Sequence, residues 1–505
     1  MTTNEKEVKE QAQHLDRVEG LDSHDAGLAE HALPSYHDKE TNRILRKVDT
    51  RLLPVLVLLY ILSFLDRSNM GNANIAGLSE DLNLVGPQYN YALMVFFFPY
   101  ALLEIPSNMI LKLLNPSTWI AILMLAWGTV MTLQGIVQGY HGLLATRTML
   151  GVAESGFFPA ASYLLTTWYC RFELQRRMAI FYGGAAISGA FSGLLSYGIV
   201  QMDGVAGLEG WRWIFILEGI VTVLVGCCVP FILPDSPRKA SFLEEWEKDH
   251  LMERLEHDAG TAAGQVDYDD KFSVKSLTGV LLDWKLWLTI VCCWGNSIII
   301  YAFTYTAPTI VVSLGYENAI AQLVTMPLFV AGFLGVLLFA WLADKRRIRW
   351  VFVAGPYSIA VVGCVALLAI PQTGGYEGVT FFFLFFIPVG AYAGIVSILS
   401  WTGNNLAPSW KRAIGMAFIL TGANLGGLVG SNIFIAAQAP SYPLGYGLCL
   451  GILCAAIASA GLLALAYRNQ NRKRDAMSAE EIRAKYSDDE LTRMGDKSPF
   501  FRYVI

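Results

Sequence analysis

Residues 51–71 read RLLPVLVLLYILSFLDRSNMG, and the part from Leu52 to Leu65 carries no charge. A helix of about 20 apolar residues crosses the roughly 30 Å hydrocarbon layer of a bilayer. Backbone amides in lipid need partners inside the protein, so repeated segments of this kind predict an all-α membrane protein with twelve transmembrane helices. The twelve segments are residues 51–71, 88–112, 117–138, 142–169, 178–202, 213–233, 285–313, 320–343, 350–370, 378–403, 411–437 and 444–467.

The composition also argues against a soluble protein. Of the 505 residues, 54% are hydrophobic and only 16% are charged, whereas soluble domains carry about 25% charged residues. The charges concentrate in the two ends of the chain, and the first 20 residues lack the apolar core of a signal peptide. A transmembrane barrel would show short segments of alternating polarity instead.

A polar stretch after the sixth segment divides the chain into two six-helix halves. Within this stretch the charged run EEWEKDHLMERLEHD at 244–258 predicts either a short amphipathic helix or a solvated linker. The predicted regions are a largely disordered N-terminal tail (1–50), a six-helix half (51–233), a central loop (234–284), a second six-helix half (285–467) and a C-terminal tail (468–505).

Lysine and arginine are distributed unequally between the two sides of the predicted membrane. The loops on the side of the two tails hold nearly all of them, whereas the opposite loops hold acidic residues and essentially one base, Arg212. Basic loops stay in the cytosol, so both tails are predicted to be cytosolic. Tandem halves of this kind bind substrate near the midplane and rock around it.

Four charged residues stand out among those inside apolar segments of the first half: Asp66, Arg67, Arg147 and Glu154. Charges there are costly and mark functional sites. At 1.5 Å per residue, both arginines lie at a similar height, and Glu154 lies nearer the midplane. Arginine suits a carboxylate substrate, so Arg67 and Arg147 are predicted to bind substrate, and Asp66 and Glu154 to carry protons. Alternatively, Asp66–Arg67 and Arg147–Glu154 are structural ion pairs.

Three further charged residues are predicted to have gating or structural roles. Glu104 precedes Pro106 and can accept from backbone amides freed at a kink. Asp344 and Arg346 belong to AWLADKRRIRW at 340–350, where acid and bases can pair across helix ends and latch the inner face.

The second half contributes amides and aromatic residues, with fewer charges. Asn296 and Asn424 are the candidate substrate-binding residues there. Aromatic residues at helical spacing, such as Tyr301 and Tyr305, are more often packing groups.

Nothing in the sequence indicates an enzyme. All seven histidines lie in tails, the central loop or an outer loop, and no phosphate-binding Gly-Lys-Ser/Thr loop occurs. We therefore expect no cofactor, no metal site and no nucleic-acid partner. The energy for transport must come from an ion gradient or from the gradient of the substrate itself.

Several motifs together resemble a known family. They are LDRSNMGNANIAGL (65–78), EIPSNMILK (104–112), RTMLGVAESGFFPAASYLLTTWY (147–169), GWRWIFILEG (210–219), WTGNNLAPSWKRAIGMAF (401–418) and GDKSPFFRYVI (495–505). The chain resembles the major facilitator superfamily, specifically the fungal allantoate/nicotinate permease group of the anion:cation symporters. The resemblance covers nearly the whole chain apart from about 40 N-terminal residues, although the latch is degenerate at the link between helices 2 and 3.

The resemblance implies a monomeric plasma-membrane protein that takes up a small organic anion, such as nicotinate, allantoate or pantothenate, together with protons. In bacterial sugar-acid/proton symporters of this branch, an Asp-Arg pair and an Arg-x6-Glu pattern serve substrate and proton, and they match Asp66, Arg67, Arg147 and Glu154. The alternatives are an exporter of an acidic secondary metabolite encoded in a biosynthetic gene cluster, a passive uniporter and a non-transporting nutrient sensor.

Overall fold

The computed structural model describes residues 39–111, 113–260, 274–346, 348–370, 375–407, 409–487, 490–491 and 494–505. Regular structure in these ranges is helical. The chain divides into two compact units, Met1–Arg51 and Leu52–Ile505.

The described part of the first unit is the beginning of a helix. Helix α1 spans Lys39–Ile75, so it begins ahead of the predicted boundary at residue 51. Residues 39–53 contain neither glycine nor proline, so nothing interrupts the helix there. The hydroxyl of Thr50 donates to the carbonyl oxygen of Arg46 at 2.9 Å. The rest of the tail predicted to be disordered lies outside the described residues.

The second unit is a membrane bundle. Nine of the described helices are long and apolar enough to cross a membrane, and the other three predicted segments each contain shorter helices. In chain order the bundle helices after α1 are α2a (Gln88–Met94), α2b (Phe97–Leu111), α3 (Pro116–Gln134), α4a (Tyr140–Glu154), α4b (Phe157–Thr166), α5 (Arg171–Val200), α6 (Gly210–Ile232), α7 (Trp284–Ser313), α8 (Asn318–Arg346), α9 (Val351–Ala369), α10a (Glu377–Leu384), α10b (Phe386–Asn405), α11a (Ser409–Asn424), α11b (Gly426–Gly430) and α12 (Pro443–Asp475). We call α1–α6 from Leu52 onward the first half and α7–α12 the second half.

Three of the helix breaks have the same cause. Pro99, Pro159 and Pro388 each follow a break by a few residues. A proline has no N–H to donate and its ring clashes with the carbonyl four residues earlier, so the preceding turn opens. The break in helix α4 places Glu154 at the end of α4a, where the sequence predicted an uninterrupted helix.

Small residues allow close packing between the halves. Helices α5 and α8 pack along each other, and a β-carbon on Gly189 would lie 2.5 Å from the Phe329 ring. Only glycine permits this approach without a shift.

The predicted amphipathic helix in the central loop is confirmed, and it spans Glu245–Gly260. It contacts the start of α5, where Arg254 forms an ion pair with Glu173 at 2.6 Å. The loop is therefore joined to the inner end of the bundle, by which we mean the end carrying Arg171, Trp284 and Asn405.

Candidate functional site

A cavity lies between the two halves, on the inner side of Arg67. It receives residues from both halves, which agrees with a site at their interface. Its lining consists of Tyr60, Ser63, Phe64, Arg67, Tyr100, Phe158, Tyr182, Asn296, Ser297, Ile300, Tyr301, Ile395, Leu399, Leu420, Ala423 and Asn424.

The central polar contact of the cavity wall joins helices α1, α4a and α7. Arg67 donates from Nη2 to Oε1 of Glu154 at 2.8 Å and from Nη1 to the hydroxyl of Tyr301 at 2.9 Å. The hydroxyl of Ser63 donates to the same Glu154 oxygen at 2.5 Å. Neither ion pair considered from the sequence, Asp66–Arg67 or Arg147–Glu154, is present. The ion pair that forms instead joins Arg67 of α1 to Glu154 of α4a, because the Arg67 side chain extends far enough to reach the Glu154 carboxylate.

Aromatic rings surround the guanidinium of Arg67. Its Cζ lies 4.7 Å from the ring centre of Phe64 and 4.9 Å from that of Tyr100. The ring centres of Phe96 and Tyr301 are 5.3 Å and 5.7 Å away. Ring faces attract a cation, and Nε of Arg67 is buried without a hydrogen-bond partner in the described part of the chain.

Of the four predicted charges, Arg67 lines the cavity, whereas Glu154, Asp66 and Arg147 do not. Arg147 is fully buried, its Nε donates to the carbonyl oxygen of Ala92 at 3.3 Å, and its guanidinium lies 4.9 Å from the Phe96 ring centre. Its terminal nitrogens and both carboxylate oxygens of Asp66 are buried without a hydrogen-bond partner in the described chain. Arg147 therefore does not line the cavity that Arg67 lines, and its predicted role in substrate binding stays a prediction.

The two predicted amides of the second half do line the cavity. Asn296 accepts from the Tyr182 hydroxyl at 3.1 Å and donates to the carbonyl oxygen of Ala391 at 2.8 Å. Asn424 donates to Oε2 of Glu104 at 3.1 Å. Glu104 thus accepts from a side chain of the opposite half, where the sequence suggested backbone amides at a kink.

The bundle is closed beyond the cavity on its outer side. Asn90 of α2a donates to the carbonyl oxygen of Ser431 at 2.9 Å, which joins the two halves. A β-carbon on Gly71 would lie 2.8 Å from the carbonyl oxygen of Tyr305, so α1 and α7 touch there through their backbones. The cavity lies on the inner side of these two contacts.

The two predicted latch residues, Asp344 and Arg346, lie at the end of α8. Arg346 is exposed at the end of α8, and the side chain of Asp344 lies outside the described part of the structure. The inner latch formed by these two residues stays a prediction. Within the described residues, no group of three or more His, Cys, Asp or Glu side chains could hold a metal ion.

Sequence reasoning missed five polar residues of the cavity: Tyr60, Ser63, Tyr100, Tyr182 and Ser297. Ser63 lies one helical turn before Arg67, so it shares a helix face with that residue, and this spacing was the available signal. The tyrosines lie in apolar segments, where they cannot be distinguished from packing residues by pattern alone.

Comparison with known proteins agrees with this architecture. A family model described as Major Facilitator Superfamily matches residues 56–431. The MFS-type transporter cnsO of Penicillium expansum is 36% identical over 468 residues, which are 92% of this chain and 90% of the relative. The major facilitator-type transporter hxnP of Emericella nidulans is 30% identical over 478 residues, which are 93% of this chain and 94% of that protein.

A solved structure shares the fold. The bacterial homologue of the human lysosomal transporter Spinster, crystallised in an inward-facing and unoccupied conformation, matches with a TM-score of 0.59 at 16% identity, covering 82% of this chain and 94% of the other. At that identity the likeness concerns the fold alone. With the family match over most of the chain and relatives named as transporters, the chain belongs to the major facilitator superfamily and is a multi-pass membrane transporter.

Proposed function

We propose that this chain imports a small organic anion together with protons by alternating access between its two halves. The observation that carries the proposal is the ion pair between Arg67 and Glu154, buried at the wall of an inner cavity. A pair in that position can bind an anion and a proton in a linked way.

The linkage follows from charge balance. In the empty cavity, the positive charge of Arg67 is balanced by Glu154. A substrate carboxylate that binds Arg67 adds a negative charge in a place where an unbalanced charge costs several kcal/mol. Protonation of Glu154 removes that charge and releases Arg67 from its partner, so binding of the anion favours uptake of one proton.

Asp66 and Arg147 are proposed to act in other steps of the cycle. Each is buried and has terminal polar atoms without a hydrogen-bond partner in the described chain. Groups left unpaired at such cost are candidates to gain partners when the halves rearrange. We assign Asp66 to a second proton-carrying role, and Arg147 to substrate binding when the cavity opens outward.

Contacts between the halves serve as the gates in this scheme. Outward opening must separate Asn90 from Ser431, which are joined by a single hydrogen bond. The contact between Glu104 and Asn424 lies at the cavity wall and also joins the halves. Because the bond between Asn90 and Ser431 joins two neutral groups, modest binding energy is enough to offset its loss and shift the equilibrium between the two states.

The assignment to the nicotinate, allantoate and pantothenate group rests on the motifs and on fungal relatives. The plasma membrane and cytosolic positions for both tails are part of the same proposal, supported by the unequal distribution of basic residues. Transporter-named relatives do not favour a sensor that binds without carrying.

The test is uptake of radiolabelled nicotinate, allantoate and pantothenate at pH 5 and pH 7 by a permease-deficient yeast expressing the chain. We expect saturable uptake of at least one anion, faster at pH 5 and abolished by a protonophore. If none is taken up while the protein is at the cell surface, the import proposal fails, and export of an acidic metabolite becomes the candidate.

A further inference from the structure

Residues 495–505, which we call the tail segment, lie on the inner ends of helices of the second half. The carboxylate of Asp496 is 2% exposed and accepts from Lys411 at 2.9 Å and 3.0 Å through its two oxygens. Lys285 lies 3.5 Å from the same carboxylate, and Lys411 also pairs with Asp283 at 2.8 Å. One acidic residue of the tail segment thus completes a buried cluster of two acids and two bases.

The backbone of the tail segment is recognised by two asparagine side chains. Asn405 of α10b accepts from the N–H of Val504 at 2.8 Å and donates to its carbonyl oxygen at 3.0 Å. Asn471 of α12 makes the same paired contact with Tyr503, at 2.9 Å and 2.8 Å. The indole of Trp401 adds a bond to the carbonyl oxygen of Val504 at 2.8 Å. Paired amide contacts of this kind fix an extended peptide in one register, as in strand addition.

A tyrosine anchors the segment between these contacts. The ring of Tyr503 stacks on Tyr467 with centroids 4.6 Å apart. Its hydroxyl accepts from Lys285 at 2.8 Å and donates to the carbonyl oxygen of Asp496 at 2.8 Å. Burial raises the pKa of Tyr503 to about 12, so the hydroxyl keeps its proton throughout the physiological range.

The helices joined in this way include two that form the cavity wall. Leu399 of α10b and Leu420 of α11a line the cavity, whereas Asn405 and Lys411, at the inner ends of the same helices, hold the tail segment. The contacts with Lys285 and Asn471 connect these ends to α7 and α12. The tail segment therefore bridges four helices at their inner ends.

We propose that the inner ends of α7, α10b, α11a and α12 form a peptide-binding site for the tail segment, and that its occupancy holds the second-half wall of the cavity as one body. The ligand is a peptide that carries a buried acid in a short 3-10 helix, Gly495–Lys497, followed by an irregular stretch with the anchoring Tyr503. With the site emptied, the inner ends of α10b and α11a become free to move apart from α7 and α12. The inference rests on the fold and not on the identity of the substrate.

The test is hydrogen–deuterium exchange of the purified full-length protein, which requires no substrate. In Asp496→Lys, which places a third base in the cluster, we expect exchange in residues 399–412 to rise about tenfold, because loss of a buried charge-assisted contact opens the inner helix ends. The matched control is Lys497→Ala, the exposed neighbour, for which exchange should not change. A synthetic peptide of residues 495–505 added to Asp496→Lys should restore the protection.

Unchanged exchange in residues 399–412, or an equal rise across both halves, would overturn the proposal. Protection that the peptide does not restore would also contradict a binding site. If Asp496→Lys does not fold, Tyr503→Phe is measured instead, because it keeps the stacking and removes only the hydroxyl bonds to Lys285 and Asp496. A smaller rise confined to the same residues is then expected, and its absence would refute the proposal.

Discussion

The two halves contribute different chemistry to the bundle. The first half holds the charged residues of the span, among them Arg67, Glu154 and Glu104, whereas the second half lines the same cavity with the uncharged Asn296, Tyr301 and Asn424. The buried charges of the second half, including Lys411, lie at its inner end beneath the tail segment. Charge in the span is costly to keep, so the first half is expected to drive the chemistry and the second half to shape the site.

The largest effect on uptake is expected from removing the positive charge of Arg67. In Arg67→Ala we expect uptake to fall by more than about 100-fold, because Glu154 is left buried without its partner, a loss of about 3–5 kcal/mol in comparable pairs. Arg67→Lys should recover little of the lost uptake, since lysine lacks the planar guanidinium group that can donate two hydrogen bonds to one carboxylate.

The measurement is initial uptake rate per transporter at the cell surface. Arg472→Ala, an exposed residue at the end of α12, is the control and should keep the normal rate. Normal uptake by Arg67→Ala would show that the first half does not carry the anion site.

A second variant separates the two roles within the first half. Glu154→Gln keeps hydrogen-bonding groups beside Arg67 but cannot exchange a proton, so we expect exchange of labelled for unlabelled substrate to continue. Accumulation against a gradient should be lost, because it needs a proton carried with the anion. The experiment measures accumulation ratio and counterflow in the same cells.

An accumulation ratio equal to that of the original protein would remove Glu154 from the coupling step. It would then direct attention to Asp66, the buried carboxylate of α1.

A third variant tests the shaping role of the second half. Asn296→Ala removes one neutral hydrogen bond to Tyr182 and one to the Ala391 carbonyl. We therefore expect the substrate concentration for half-maximal uptake to rise about fivefold, while the dependence of uptake on protons stays unchanged. Uptake is measured across substrate concentrations at pH 5 and pH 7, with Ser358→Ala on α9 as the control. Loss of proton dependence in Asn296→Ala would contradict the division of labour between the halves.

The smallest effect is expected at a charge outside the span. Burial alone would raise the pKa of Asp235, but hydrogen bonds from Ser117 and from Lys239 outweigh it, and the pKa is lowered. Its stabilising contribution is therefore present at neutral pH and is lost as the pH falls through the lowered value. We expect Asp235→Asn to reduce the free energy of unfolding by less than about 1 kcal/mol at pH 7, because the ion pair with Lys239 is partly exposed.

Thermal unfolding at pH 7 and at acidic pH measures this difference. The gap between Asp235→Asn and the original protein should narrow as the pH falls. A gap that widens would give the opposite sign and refute the assignment.

The amino-acid sequence was sufficient to predict the helical membrane architecture and to identify the charged residues inside the helices. Apolar segments of the right length specify helices in lipid whatever surrounds them, because the backbone has no other partner there. The cost of a charge in lipid likewise marked Arg67 and Glu154 without a structure. These inferences depend on single segments, so a linear sequence is sufficient for them.

The tertiary structure alone decided which groups meet. Arg67 pairs with Glu154 and Tyr301, and not with its chain neighbour Asp66, because the crossing of α1, α4a and α7 sets the distances. The partnership of Glu104 with Asn424 joins residues of opposite halves. Long-range partnerships such as these depend on how helices pack, and spacing along one segment carries no information about them.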